Sequence, residues 1–335
     1  MAERPAFLRG VNVGARFGGE GQQWAVPMAV DYYMTTKGMN VFRHPVQWET
    51  LQPTLGGALD AAEVAGLEDQ ITRAVAAGGN LIIDLRNGQR RTVNGLEYII
   101  GETPTVTTAH FADAWTRIAT QWRNRKGVLF GLMNEPADVN QAILTQSTNA
   151  AISAVRATGA TNRILASGNG FGNTWGLKPD YPHRDALLSL VDPMGNMVFD
   201  VHHYLDAFSA GTTSNIAAYH LDNLIAETTW ARNFNKKLFL GEFAGAADTA
   251  SLAQIKLVLD HVESNKDVWI GWTWWAGGGW WPYDYRYLLD PYGSKWDATN
   301  PDRAAENGGT GKATTWAEPR PDKPQMALLQ QYLKQ

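Results

Sequence analysis

The sequence predicts a closed (β/α)8 barrel, the TIM-barrel form of the α/β class, as a single domain over residues 1–335. Three observations predict it. Eight short runs rich in Val, Ile, Leu and Phe recur along the chain, the composition of strands buried on both faces. Between them lie longer stretches whose apolar residues fall at helical spacing. A chain of 335 residues is also an ordinary size for one such barrel. An open doubly wound sheet is the alternative, but no G-x-G-x-x-G follows the first strand.

The strands are expected at Phe7–Val13, Asn40–Val46, Asn80–Leu85, Val128–Asn134, Arg163–Ser167, Met197–His203, Lys237–Glu242 and Trp269–Trp275. Asp60–Ala77 carries Ala, Leu, Ile and Val at helical spacing and stops at Gly78-Gly79. Thr107–Asn124 opens on a Thr cap, and its Phe111, Trp115, Ile118 and Trp122 form one buried face. Val139–Thr158, Ile216–Asn233 and Thr249–Asn265 read the same way. No internal repeat or Pro/Ser-rich linker divides the chain.

Composition narrows the function classes. A net charge of −4 argues against a nucleic-acid surface and leaves no polybasic patch for anionic lipid. No apolar run reaches the ~20 residues of a membrane helix. With no cysteine there is neither a disulfide nor a thiolate metal site. The first residues, Met1-Ala2-Glu3-Arg4-Pro5, hold no apolar signal region, so the chain is either cytoplasmic or has lost a leader. Tryptophan is the outlier: the chain has 14. Indole fills cores, but it also stacks on the apolar C–H face of a sugar ring.

In such barrels the chemistry sits where the strands end. The fourth strand runs into Leu132-Met133-Asn134-Glu135-Pro136. In isolation this could be a surface acid beside an Asn turn. The seventh ends in Leu238-Phe239-Leu240-Gly241-Glu242, where a carboxylate follows an unbroken apolar run. That is costly unless the group is paired or functional. Two carboxylates across one cleft are what glycosidic cleavage requires, one to protonate the leaving oxygen and one to attack or to activate water.

These segments resemble glycoside hydrolase family 5, of clan A, and in particular its endoglucanase branch. The likeness extends over nearly the whole chain. It implies Glu135 as general acid/base and Glu242 as nucleophile. Phe42-Arg43-His44-Pro45 is similar to the family's Arg-x-Pro, which implies that Arg43 bonds the nucleophile. Asp200-Val201-His202-His203-Tyr204 is similar to its Asp-x-His-x-Tyr, which implies that His202 lines the site and Tyr204 donates to the nucleophile. Gly271-Trp272-Thr273-Trp274-Trp275-Ala276-Gly277 resembles the strand-eight segment, whose second Trp, here Trp275, floors the subsite −1. Pro324–Leu333 looks like the branch's terminal helix. Physical chemistry agrees: Arg43 would keep Glu242 ionised, Tyr204 would orient it, and Asn134 would bond the sugar 2-hydroxyl. A surface Arg43 and a core Tyr204 are the plainer alternatives. The His202-His203 pair suggests no metal, because adjacent strand residues point to opposite faces.

One segment departs from the branch. Where it has Asp-x-His-Asn, this chain has Asp84-Leu85-Arg86-Asn87, followed by Gln89-Arg90-Arg91. Two readings follow. In the preferred one Arg86 points away from the site and the activity stays cellulolytic. In the other, a basic cluster on this loop recognises an acidic polysaccharide. Trp24, Trp48, Trp175, Trp280 and Trp281 are expected in loops around the mouth, where a row of aromatics would make an endo-acting cleft. The sequence thus predicts a retaining endo-β-1,4-glucanase that needs no cofactor or metal. Its partner is a polysaccharide or oligosaccharide, and it is expected to be monomeric and secreted or periplasmic. The alternatives are another β-glycan, transglycosylation, or a non-catalytic carbohydrate-binding barrel.

Overall fold

The computed structural model describes residues 7–13, 30–174, 183–278, 285–289, 291 and 321–333. Its strands in chain order are β1 (Leu8–Val13), β2 (Val41–Val46), β3 (Asn80–Leu85), β4 (Arg90–Val93), β5 (Leu96–Ile99), β6 (Val128–Gly131), β7 (Ile164–Ser167), β8 (Met197–Tyr204), β9 (Leu238–Ala244) and β10 (Trp269–Gly277). Eight of them close into a barrel in the order β1-β10-β9-β8-β7-β6-β3-β2. The remaining two, β4 and β5, pair as an antiparallel hairpin in the loop after β3, an element the sequence reading did not anticipate.

The principal helices are α1 (Ala61–Ala76), α2 (Thr108–Trp122), α3 (Gln141–Ala157), α4 (His220–Asn233), α5 (Thr249–Ser264) and α6 (Pro324–Leu333). Local chemistry starts most of them. The Asp60 carboxylate accepts from the backbone of Ala62 and Glu63, and Thr107 forms a reciprocal capping box with His110. Asn140 and Asp248 cap α3 and α5. Trp115 and Trp122 are fully buried, as their helical spacing implied, with Trp115 packed 5.6 Å from Phe130 between ring centroids.

Two boundaries shift in a way that matters. The fourth barrel strand stops at Gly131, not at Asn134. Residues 132–135 instead leave the barrel as an irregular segment, held by Asn134 N–H donating to Leu85 O at 2.7 Å. The sixth and seventh barrel strands are longer than expected, reaching Tyr204 and Ala244.

Alternation along the strands builds the lumen in layers. Leu8, Val41, Ile82, Leu129, Leu165, Val198 and Phe239 form an apolar floor separate from the main core. Two residues further along their strands stand Arg43, Asp84, Gly131, Asp200 and Gly241. The two glycines are there for space. A Cβ on Gly241 would lie 1.9 Å from Asp200 Oδ1, and one on Gly131 would lie 2.8 Å from Asp84 Oδ1. Glycine at these positions lets two carboxylates and a guanidinium share one layer.

A methyl group at Gly241 therefore has no room. Gly241→Ala is expected to lower the unfolding free energy by about 3 kcal/mol or more, the upper range for overpacked cores. Denaturant melts of the variant would check this, and a midpoint equal to wild type would show that the polar layer can yield.

Candidate active site

Arg43 stands at the centre of the polar layer and has no exposed surface. Its Nη1 donates to Asn12 Oδ1 at 3.0 Å and to Glu242 Oε1 at 3.1 Å. Its Nη2 donates to Asp84 Oδ1 at 3.0 Å, Asn134 Oδ1 at 2.6 Å and Asp200 Oδ2 at 3.1 Å. Burial opposes the charge on Arg43, but Asp84, Asp200, Glu242 and Glu135 outweigh it and raise its pKa further above the ordinary arginine value. Burial pushes Asp84 up to about 7, with Arg43 acting against the rise.

Glu242 stands within β9 beside a register irregularity. Pairing between β8 and β9 slips between Val201 and His202, so that His202 stands opposite Glu242. The Glu242 carboxylate is almost completely enclosed, at 2% side-chain exposure. Its Oε1 accepts from Arg43 and, at 2.6 Å, from Arg86 Nη1. Its Oε2 accepts from the Tyr204 hydroxyl at 2.7 Å. Burial would raise its pKa, but Arg86, His202 and Arg43 together hold it down at about 2.

Glu135 is placed differently. Its side chain is 25% exposed, and its φ of 48° lies in the left-handed region, uncommon for a residue with a Cβ. The turn is pinned on both sides, by Gly88 N–H donating to Asn134 O and by Phe171 N–H donating to Pro136 O. Because Arg43 occupies Asn134 Oδ1, the amide Nδ2 of Asn134 is the group left to donate elsewhere.

His202 lies between the two carboxylates. Its Nδ1 is 2.7 Å from Glu135 Oε1 and 3.7 Å from Glu242 Oε2. Burial works against its charge, but Glu242, Asp200 and Glu135 raise its pKa to about 10, so it stands as an imidazolium. His203 points the other way, as strand alternation requires, to Thr174 Oγ1 at 2.7 Å and His220 Nδ1 at 3.1 Å.

Oxygens of Glu135 and Glu242 and a nitrogen of His202 fall within 4.8 Å of one another, the one set among the described residues with metal-ligand spacing. A cation there would face the guanidinium groups of Arg43 and Arg86, so the set suits carboxylate chemistry better than metal binding. The same measurement puts the carboxylates near the ~5–5.5 Å separation of retaining glycosidases, short of the ~6.5–9.5 Å of inverting ones.

Trp275 completes the wall. Its Nε1 donates to the Tyr285 hydroxyl at 3.1 Å, and the peptide after it is cis. Arg86, Glu135, Tyr204, Glu242, Trp275 and Tyr285 line a cavity of ≈ 140 Å³. The structure therefore brings together Glu135, Glu242, Arg43, Arg86, Asn134, His202, Tyr204 and Trp275. Trp24, Trp175, Trp280 and Trp281 lie outside the described residues.

Three expectations need correction. Trp48 does not stand at the mouth: it has no exposed surface, packs on Phe111 and donates to Gln52. Arg86 does not point away: it reaches Glu242 and stacks over Trp275, 4.2 Å from the ring centroid. Nor is the loop a basic cluster facing the cleft. Arg91 is buried, donating to the carbonyls of Gln52 and Pro53, and Arg90 is tied to those of Gly88 and Ala137. Sequence reasoning also gave no role to Asn12, Asp84, Asp200 or Tyr285. The first three carried a signal, a polar residue inside an otherwise apolar strand.

Comparison with known proteins gives a consistent picture. The family model described as Cellulase (glycosyl hydrolase family 5) matches residues 8–278. Endo-beta-1,4-glucanase B of Emericella nidulans is 32% identical over 261 residues, 77% of this chain and 76% of that protein. An endo-beta-1,4-glucanase from Xanthomonas axonopodis pv. citri superimposes with a TM-score of 0.83 at 31% identity, covering 98% of both chains. XacCel5A in complex with cellopentaose gives 0.83 at 32% identity, covering 98% of this chain and 99% of that one.

Removing Arg43 would leave Asp84, Asp200 and part of Glu242 buried without their counter-charge. Arg43→Met is expected to cost about 3–5 kcal/mol at neutral pH. The sign of the pH dependence follows from Glu242. Its folded pKa of about 2 lies below the ordinary 4.5, so its pairing contributes fully above about pH 4.5 and is lost as pH falls toward 2. The gap between wild type and Arg43→Met in denaturant melts should thus narrow on acidification below pH 4.5. A gap that is constant or widens would contradict this assignment.

Proposed function

The chain belongs to the cellulase family, glycosyl hydrolase family 5, and on that premise we propose that it is an endo-acting β-1,4-glucanase that retains anomeric configuration. The observation that carries the reading is the approach of Glu135 and Glu242 to within 4.8 Å, in surroundings of opposite character. Glu242 is enclosed, ionised and aimed by Tyr204, the state a nucleophile requires. Glu135 is partly open to the cavity, where it can meet both a leaving oxygen and water.

The reaction runs by double displacement. Glu242 attacks the anomeric carbon while Glu135 gives a proton to the departing sugar oxygen. Water then enters on Glu135, now a base, and releases the sugar from Glu242. His202, an imidazolium bonded to Glu135, can steady the negative charge that Glu135 acquires when it yields its proton. Asn134 Nδ2 is held toward the substrate to donate to a sugar hydroxyl, an interaction that strengthens in the oxocarbenium-like transition state.

The substrate reading is a neutral β-1,4-glucan chain, consistent with the cellopentaose bound by the similar XacCel5A. Only Arg86 of the three loop arginines reaches the cavity, which removes most of the basis for an acidic polymer. No described helix is long and apolar enough to cross a membrane. A polymeric substrate favours a location outside the cytoplasm, and we read the enzyme as secreted or periplasmic.

Hydrolysis of cellopentaose by wild type, Glu135→Gln and Glu242→Gln tests the roles. Glu135→Gln should lose about 10²–10⁴-fold in kcat on a substrate with a poor leaving group, the usual worth of general acid catalysis. Glu242→Gln should lose at least as much for every leaving group. NMR of the first product should show the β-anomer. An initial α-anomer, or near-normal turnover by either variant, would overturn the assignment.

A further inference from the structure

Arg86 holds two positions that the proposed reaction needs for substrate. Its backbone N–H donates to Val46 O at 2.8 Å, so the residue is anchored at its main chain and reaches the site through its side chain alone. The guanidinium Nη1 donates to Glu242 Oε1 at 2.6 Å, and the Cζ lies 4.2 Å from the Trp275 ring centroid. Both contacts face the same cavity. A guanidinium over an indole competes for the surface on which a sugar ring stacks, since both occupy its π face.

The contact with Glu242 is equally consequential. Oε1 receives donors from Arg43 and Arg86, and Oε2 receives the Tyr204 hydroxyl. A carboxylate attacks through a lone pair, and each strong donor lowers the nucleophilicity of the oxygen it binds. The two arginines are not equivalent. Arg43 is fully enclosed and fixed by five acceptors, whereas the Arg86 side chain is 15% exposed and lines the cavity. One can leave without dismantling the polar layer, and the other cannot.

We propose that Arg86 is a specificity-determining latch, displaced by substrate: a neutral glucosyl unit enters the reacting position by taking the place of the guanidinium on Trp275, and this strips Glu242 Oε1 of the shorter of its two donors before attack. Arg43 and Tyr204 stay and keep Glu242 ionised and aimed. Part of the binding energy of the sugar chain is used to open the ion pair, so short or ill-fitting glycans are turned away before chemistry begins. The inference rests on the reading of Glu242 as nucleophile and Trp275 as sugar platform.

The test is calorimetric titration of cellopentaose into Glu135→Gln and into Glu135→Gln/Arg86→Ala, both unable to turn over the ligand at speed. Loss of the latch should tighten binding about tenfold, the equivalent of one desolvated cation–π contact. Arg86→Gln, which keeps a polar side chain, should shift in the same direction if the alanine variant folds poorly. Equal or weaker binding overturns the latch. So does an affinity for a carboxylate-bearing glucan that disappears with Arg86, which would make the residue an anion-binding arm. In the otherwise wild-type enzyme, Arg86→Ala should move the acidic limb of kcat/KM to higher pH, because one cation beside Glu242 is gone; an unmoved limb also counts against the proposal. Glu135→Gln/Trp275→Ala separates the two layers of argument. Unchanged cellopentaose affinity there would sink the platform reading itself, whatever Arg86→Ala does.

Discussion

A guanidinium with no solvent contact is costly to bury, and the mouth of this barrel is arranged around meeting that cost at Arg43. Five acceptors from five segments converge on it: Asn12, Asp84, Asn134, Asp200 and Glu242. Each acceptor comes from a different barrel strand or from the segment directly after it. Closing the barrel in the right register is therefore what completes the set. Glycine at 131 and 241 makes room for it, and the slip between Val201 and His202 brings β8 and β9 into the register it needs. Structural and chemical roles cannot be separated here, because the charge that stabilises the layer also fixes Glu242.

From this single constraint the two carboxylates acquire different characters. Glu242 lies inside the field of Arg43, with Arg86 and His202 on its other sides, and remains charged despite burial. Glu135 hangs from an irregular segment beyond the strand, where a strained φ of 48° turns it toward the cavity. Its link to the polar layer runs through Asn134 on one side and His202 on the other. One group is held by the barrel and the other by a loop. This matches a reaction in which the first must stay fixed and the second must exchange protons with substrate and water.

Much of this is legible in the sequence because it rests on local pattern. Apolar runs of strand length mark the barrel, and the rule that chemistry sits at strand ends points to Glu135 and Glu242. Alternation separates His202 from His203 before any coordinates are known. What the sequence does not reveal depends on register and on depth. Asp84 and Asp200 read as polar residues in apolar strands, but only the closed barrel shows that both meet Arg43. The fourth strand reads as continuous to Asn134, and the backbone leaves it at Gly131. Trp48 follows a strand end, which suggested a sugar platform, but it faces the core and packs on Phe111.

The arginines after β3 show why charge along a loop is a poor guide to charge in a cleft. Arg86, Arg90 and Arg91 look equivalent in sequence. The side chains of Arg90 and Arg91, at the start of the hairpin, donate to carbonyls of neighbouring segments, at Gly88, Ala137, Gln52 and Pro53. Arg91 also lies over the Trp48 ring at 4.6 Å. These two side chains are part of the scaffold that holds the loop, and their charge is turned away from the substrate. Arg86 alone precedes the hairpin, directly after the last residue of β3, and strand geometry sends it inward to Glu242. The departure from the family pattern thus reduces to one residue that adds a second guanidinium to Glu242 and lies over the indole beside it. A single substitution of that kind leaves the contacts of Arg43 and Tyr204 with Glu242 in place and alters the face of the cavity beside them.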